Sequence, residues 1–128
     1  MSTILLIEPD RVLAKAYLQA LEAAGYTVAV CLTAQNAILA ADEVKPDLVI
    51  VELQLVGHSG IEFLYEFRSY PDWQHVPVIV HTNIPPRQLG QTFAAAKSQL
   101  GIADCLYKPQ TTLRDLLNSI RQAEHTTV

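Results

Sequence analysis

Five short apolar runs alternate with five stretches of helical spacing, and this alternation limits the possible folds more than any other feature. The runs are TILLIE (3–8), TVAVCL (27–32), DLVIVEL (47–53), VPVIVHT (76–82) and DCLYK (104–108). The first, third and fourth are nearly continuous rather than alternating, as strands covered on both faces read. Between them, 11–25 carries Leu13, Ala16, Tyr17, Leu21 and Ala24 near a helical repeat and stops at Gly25. Segment 33–46 opens on Thr33 as a helix N-cap and closes before Pro46. Segment 60–71 repeats Ile61, Leu64 and Tyr65 and stops by Pro71. Segment 85–101 begins with two prolines suited to a first turn and ends at Gly101. Segment 111–124 puts Leu113, Leu116, Leu117 and Ile120 on one face, with Thr112 and Asp115 spaced as a capping box.

Strict strand–helix alternation implies parallel strands, right-handed crossovers and helices on both faces of one sheet. The expected fold is α/β: a flavodoxin-like, doubly wound, five-stranded parallel sheet of order 2-1-3-4-5 with five helices. Residues 1–124 are read as one domain and 125–128 as a frayed tail. In that order Cys31 and Cys105 fall on opposite edge strands, roughly 19 Å apart at about 4.8 Å per strand. A disulfide needs Cα atoms within about 7 Å, so two free thiols are expected.

Bulk properties exclude some function classes. A chain of 128 residues, half of them hydrophobic, can build one core without staples. A formal charge of −4 argues against nucleic acid as a partner, since that calls for a basic face. No apolar run approaches the roughly 20 residues needed to cross a bilayer. The start MSTILLIEPD has no basic region or cleavage site and is not read as a signal peptide. A cytoplasmic location is the expectation. The cysteines and the four histidines show no metal-ligand spacing. His81, beside Thr82, is read as a half-buried, hydrogen-bonded histidine, and Trp73 as a surface-packing residue before the fourth strand.

Ligand sites in such sheets lie beyond the carboxyl ends of the strands. Strand 1 delivers Glu8 there, with Asp10 just after. Strand 3 delivers Glu52, strand 4 Thr82, and strand 5 Lys108 followed by Pro109. Strands 1 and 3 are neighbours, so Glu8 and Glu52 should converge with Thr82 and Lys108 beside them. Two carboxylates, a hydroxyl and an ammonium around one crevice can hold a metal or a phosphoryl group.

The stretches ILLIEPD, PDLVIVELQLVGHSGIEFL, VPVIVHT and DCLYKP resemble the response-regulator receiver domain of two-component signalling, over essentially the whole chain. In that family, strand-1 acids and a strand-3 aspartate hold Mg²⁺, and the aspartate takes a phosphoryl group from a histidine kinase. A strand-4 Ser or Thr and a strand-5 lysine then contact the phosphoryl oxygens. The resemblance implies that Glu52 stands at the phosphoacceptor position, that Thr82 and Lys108 match the phosphoryl contacts, and that Glu8 and Asp10 form the acidic pocket. Pro9 replaces one acid of the pair. Cys105 stands at the switch position, normally aromatic, with Tyr107 on the same side of the strand. The segment from Thr82 to Lys108 is a few residues longer than the family pattern.

Glutamate carries its carboxylate up to about 1.5 Å further than aspartate. A misplacement of about 1 Å can cost in-line transfer roughly a hundredfold. With Pro9 removing a ligand, Mg²⁺ is expected to be absent or held weakly by Glu8 and Glu52. Glu52 is expected to face Lys108, either as a partial stand-in for an aspartyl phosphate or as a relic that neutralises it. The expected function is thus that of a degenerate receiver, not an enzyme, working through a protein partner such as a histidine kinase or an output protein. A homodimer is among the arrangements the family analogy allows. The competing readings are a true phospho-receiver using Glu52 and a small-molecule-binding flavodoxin-like domain. The acidic EPDRVL after strand 1 disfavours the second, because it repels phosphate.

Overall fold

The three continuous apolar runs become the three central strands. In the computed structural model, which describes residues 2–125, the strands are β1 (Thr3–Ile7), β2 (Thr27–Cys31), β3 (Leu48–Val51), β4 (Val78–Thr82) and β5 (Ile102–Tyr107). All pair in parallel in the order β2-β1-β3-β4-β5. From Ile4 through Ile7, and throughout β3 and β4, every residue is buried, whereas edge strand β2 is largely half-exposed. Cys31 and Cys105 lie on the two edge strands and are free thiols.

Five α-helices connect the strands: α1 (Arg11–Ala23), α2 (Ala34–Glu43), α3 (Gly60–Ser69), α4 (Pro86–Leu100) and α5 (Leu113–His125). Alternate residues of the central strands feed two cores. Leu5, Ile7, Val49, Val51 and Val80 pack with residues of α2, α3 and α4 on one face. Ile4, Leu6, Leu48, Ile50 and Ile79 pack with Leu21 of α1 and Leu116 and Ile120 of α5 on the other.

Helix ends follow local chemistry. Thr33 caps α2 through Asn36 N–H, and Thr112 and Asp115 exchange the reciprocal bonds of a capping box. A second capping box, Ser59 with Glu62, fixes the start of α3. Gly101 ends α4 in the left-handed region (φ 62°), where a Cβ would be strained.

Four local expectations are corrected. The buried face of α3 is Phe63, Leu64 and Phe67; Tyr65 is exposed and Ile61 half-buried. Trp73 is buried, stacked 4.9 Å from Phe67 at 16°, because the short 3₁₀ turn Pro71–Trp73 folds it back onto α3. Segment 85–101 is not one continuous helix: Gly90 (φ 65°, ψ −171°) breaks it after the first turn. In the expected tail, His125 is the last residue of α5, and 126–128 lie outside the described residues.

Candidate functional site

Strand register builds the site. Ile7 is level with Cys31 and with Val51, and Val51 is level with Val80. The ladder continues one step beyond the strands, as Glu8 N–H donates to Cys31 O and Glu52 N–H to Ile7 O, both at 3.0 Å. Glu8 and Glu52 therefore emerge side by side at the carboxyl edge, with Thr82 ending β4 and Lys108 following β5. Glu8 and Glu52 are each 2% exposed and Thr82 is 1% exposed.

Lys108 joins the two acids. Its Nζ lies 2.8 Å from Glu52 Oε1 and 2.5 Å from Glu8 Oε1. Buried charge is tolerated when it is paired and fully hydrogen-bonded. Backbone amides supply the rest. Glu8 Oε2 accepts from Asp10 N–H (3.1 Å), Glu52 Oε2 from Gln54 N–H (3.1 Å), and Glu52 Oε1 from Asn83 N–H (3.1 Å). Thr82 Oγ1 accepts from Ile84 N–H at 3.2 Å. Among the described residues, no buried side-chain polar atom lacks a partner.

The electrostatics follow. Burial pushes the Glu52 carboxyl up, but bonds from Lys108, Thr82 and the Gln54 amide outweigh it and hold the group below its usual range. Burial pushes the Lys108 ammonium down, and its bonds to Glu52 and Glu8 reverse that and raise it. Both groups are charged at neutral pH.

Gly60 lets α3 reach this site. A Cβ there would stand 2.5 Å from Glu52 O and 2.7 Å from Leu53 Cα, while Gly60 N–H donates to Leu53 O at 2.8 Å. The first turn of α3 thus rests directly on the backbone that carries Glu52.

The expected residues separate into two groups. Glu8, Glu52, Thr82 and Lys108 converge. Asp10 does not join them: it is exposed and caps α1, its Oδ1 accepting from Val12 and Leu13 N–H. Cys105 and Tyr107 are half-buried and line one depression of about 260 Å³ with Thr82, Gly90, Phe93 and Lys97. His81 is buried rather than half-buried, packed edge-on against Tyr17 at 5.1 Å. Burial, then the nearby Lys108 charge, lowers its pKa to about 4. The site also uses the Asn83 amide and the close contact at Gly60. Both are backbone features, and residue type signals only the glycine.

A parallel sheet of this order, with acids just after β1 and β3 and a lysine just after β5, places the chain among flavodoxin-like doubly wound domains with a site at the strand ends. The sequence profile of the response regulator receiver domain matches residues 4–121, and the chain belongs to that family, whose members serve two-component signalling. The chain is similar to the KDP operon transcriptional regulatory protein KdpE of Escherichia coli K12, at 38% identity over 62% of this chain and 34% of that protein. It is also similar to the C4-dicarboxylate transport transcriptional regulatory protein DctD of Rhizobium meliloti, at 31% identity over 95% of this chain and 25% of that protein. The chain thus spans about a third of KdpE and a quarter of DctD. A CheY-like receiver domain protein from Methanospirillum hungatei JF-1 shares the fold, with a TM-score of 0.87 and 20% identity over 99% of this chain and 96% of that one. Among the described residues, no helix is long and apolar enough to cross a membrane.

Proposed function

We propose that this receiver domain acts as a protein-interaction module that does not accept a phosphoryl group and is not an enzyme. The observation that carries this reading is the double engagement of Glu52 Oε1 by Lys108 Nζ and Asn83 N–H. By the family resemblance, Lys108 and Thr82 are phosphoryl contacts. In this chain Glu52 itself takes the Lys108 bond, and Thr82 faces the same carboxylate. The glutamate thereby fills with one charge the role an aspartyl phosphate fills with about two.

The metal belongs to the same reading. Mg²⁺ requires near-octahedral oxygens at about 2.0–2.1 Å. Pro9 offers no carboxylate, Asp10 caps a helix, and Lys108 stands between Glu8 and Glu52. Among the described residues no three acidic, histidine or cysteine side chains converge as a metal set. The donor set does not fit Mg²⁺ in the family geometry.

The partner is a protein, either a histidine kinase or an output protein, bound in one standing state of the domain. Amide NMR tests this reading. Adding a small phosphodonor with Mg²⁺ leaves the Asn83 and Thr82 resonances unmoved; donor-dependent shifts at both would contradict it.

A further inference from the structure

Four of the ten residues of helix α2, AQNAILAADE, are alanine, and Ala34, Ala37 and Ala41 face the core. Small side chains keep α2 thin, and the seam between α2 and α3 stays incompletely filled. Two depressions lie along it. The first, of about 460 Å³, is lined by Ile38, Leu39 and Phe63 together with Gln35 and His58, and has Glu62 and Glu66 on its α3 side. The second, of about 370 Å³, lies between Ala41 and Asp42 on α2 and Tyr70, Asp72 and Trp73 beyond α3. The Tyr70 hydroxyl donates to Glu66 Oε2 at 3.4 Å and links one to the other.

The lining combines apolar surface with an excess of acidic side chains. Leu39 is 59% exposed, a large apolar side chain with little of its surface covered. Asp42, Glu62, Glu66 and Asp72 are exposed along the rim, where Lys45 and His58 also line the seam, His58 Nδ1 lying 3.3 Å from Glu62 Oε2.

We infer that the α2–α3 seam is a docking groove for an amphipathic helix of a partner protein, with an apolar stripe flanked by Lys or Arg. A helix laid in a groove reads its floor through residues at i, i+3, i+4 and i+7. The ten residues of α2 span about 15 Å, so roughly three turns of partner helix match its length. Opposite charge along the rim sets orientation and speeds encounter, and makes binding fall with salt. The inference rests on the reading of the domain as an interaction module. It uses none of Glu8, Glu52, Thr82 or Lys108, so phosphorylation at Glu52 and failure of docking at the seam are separate results.

Trp73, the single tryptophan of the chain, lines the second depression and reports occupancy by its emission. The probe is a capped helical peptide of about 14 residues, roughly four turns, with leucines on one face and lysines and arginines beside them. Its control carries glutamates in place of the cations. The basic peptide is expected to shift Trp73 emission saturably, more weakly at high salt, and the acidic one not at all. Glu66→Lys with Asp42→Lys is expected to weaken the basic peptide at least tenfold and to gain the acidic one. Leu39→Ala is expected to weaken the basic peptide without moving the urea midpoint. Absence of binding at low salt, equal affinity for both peptides, or affinity unchanged by Leu39→Ala and by the charge reversal would each overturn the inference. A concentration-dependent dimer that the same variants abolish in sedimentation would assign the seam to a second copy of this chain and also overturn it.

Discussion

Lys108 Nζ lies 2.8 Å from Glu52 Oε1, so the lysine that follows β5 is bonded to the acid that follows β3. Glu8 completes the group from β1. Side chains from three strands are thereby tied at one buried point, which ties the stability of the fold to the chemistry of the crevice.

Removing the lysine leaves two buried carboxylates facing each other. Breaking a buried pair by deleting one partner costs about 3–5 kcal/mol. Lys108→Met is expected to destabilise the domain by that order in urea unfolding. Adding Glu52→Gln is expected to recover part of the loss, since it removes one of the two stranded charges. A double-mutant cycle with no coupling would contradict the pairing.

Acid pH should weaken the fold in two stages. His81 takes a proton in the unfolded chain near 6.5 but in the folded chain only near 4. Between these values the unfolded state binds more protons, so stability is lost as pH falls, by about 3 kcal/mol. Glu52, held below its ordinary 4.5, adds stability that is present above 4.5 and lost as pH falls through its folded value. On the alkaline side, the raised Lys108 adds stability that is full below 10.5 and lost as pH rises through its folded value. Unfolding free energies measured against pH should show the first slope flattened in His81→Leu and the second in Glu52→Gln.

Restoring the family's acids should restore a cation site. Glu52→Asp with Pro9→Asp shortens one carboxylate and adds another beside Glu8. Calorimetry is expected to detect Mg²⁺ binding by the double variant and little by the parent chain. No heat in the variant would mean that the pocket has departed from the family beyond these two positions.

Gly60→Ala places a methyl 2.5 Å from Glu52 O. Overpacking of this kind costs about 1–3 kcal/mol. The variant should lower the urea midpoint and shift the Glu52 and Gln54 amide resonances, because α3 must lift from the backbone that carries the acid.

The sequence exposed the sheet and the converging residues because both depend on simple periodicity. Continuous burial of β1, β3 and β4 leaves unbroken apolar runs, and parallel order then brings Glu8, Glu52 and Lys108 together at one edge. Finer points depend on tertiary contacts. The spacing of Ile61 and Tyr65 points to the wrong α3 stripe, because the buried Phe63–Phe67 face is completed by Trp73, a residue from outside the helix. Asp10 is an acid beside the crevice in sequence, but at the first turn of α1 its carboxylate meets free amides before it meets a cation. Gly90 sits within a helical pattern, and residue type does not say that the helix breaks there.

On the function proposed above, the engaged, over-long Glu52 carboxylate is not a phosphoacceptor. Intact-mass measurement after incubation with a small phosphodonor and Mg²⁺ tests it most directly, with the Glu52→Asp, Pro9→Asp variant alongside. The parent chain is expected to keep its mass unchanged. Stoichiometric gain of one acid-labile phosphoryl group by the parent chain, lost in Glu52→Gln, would contradict it.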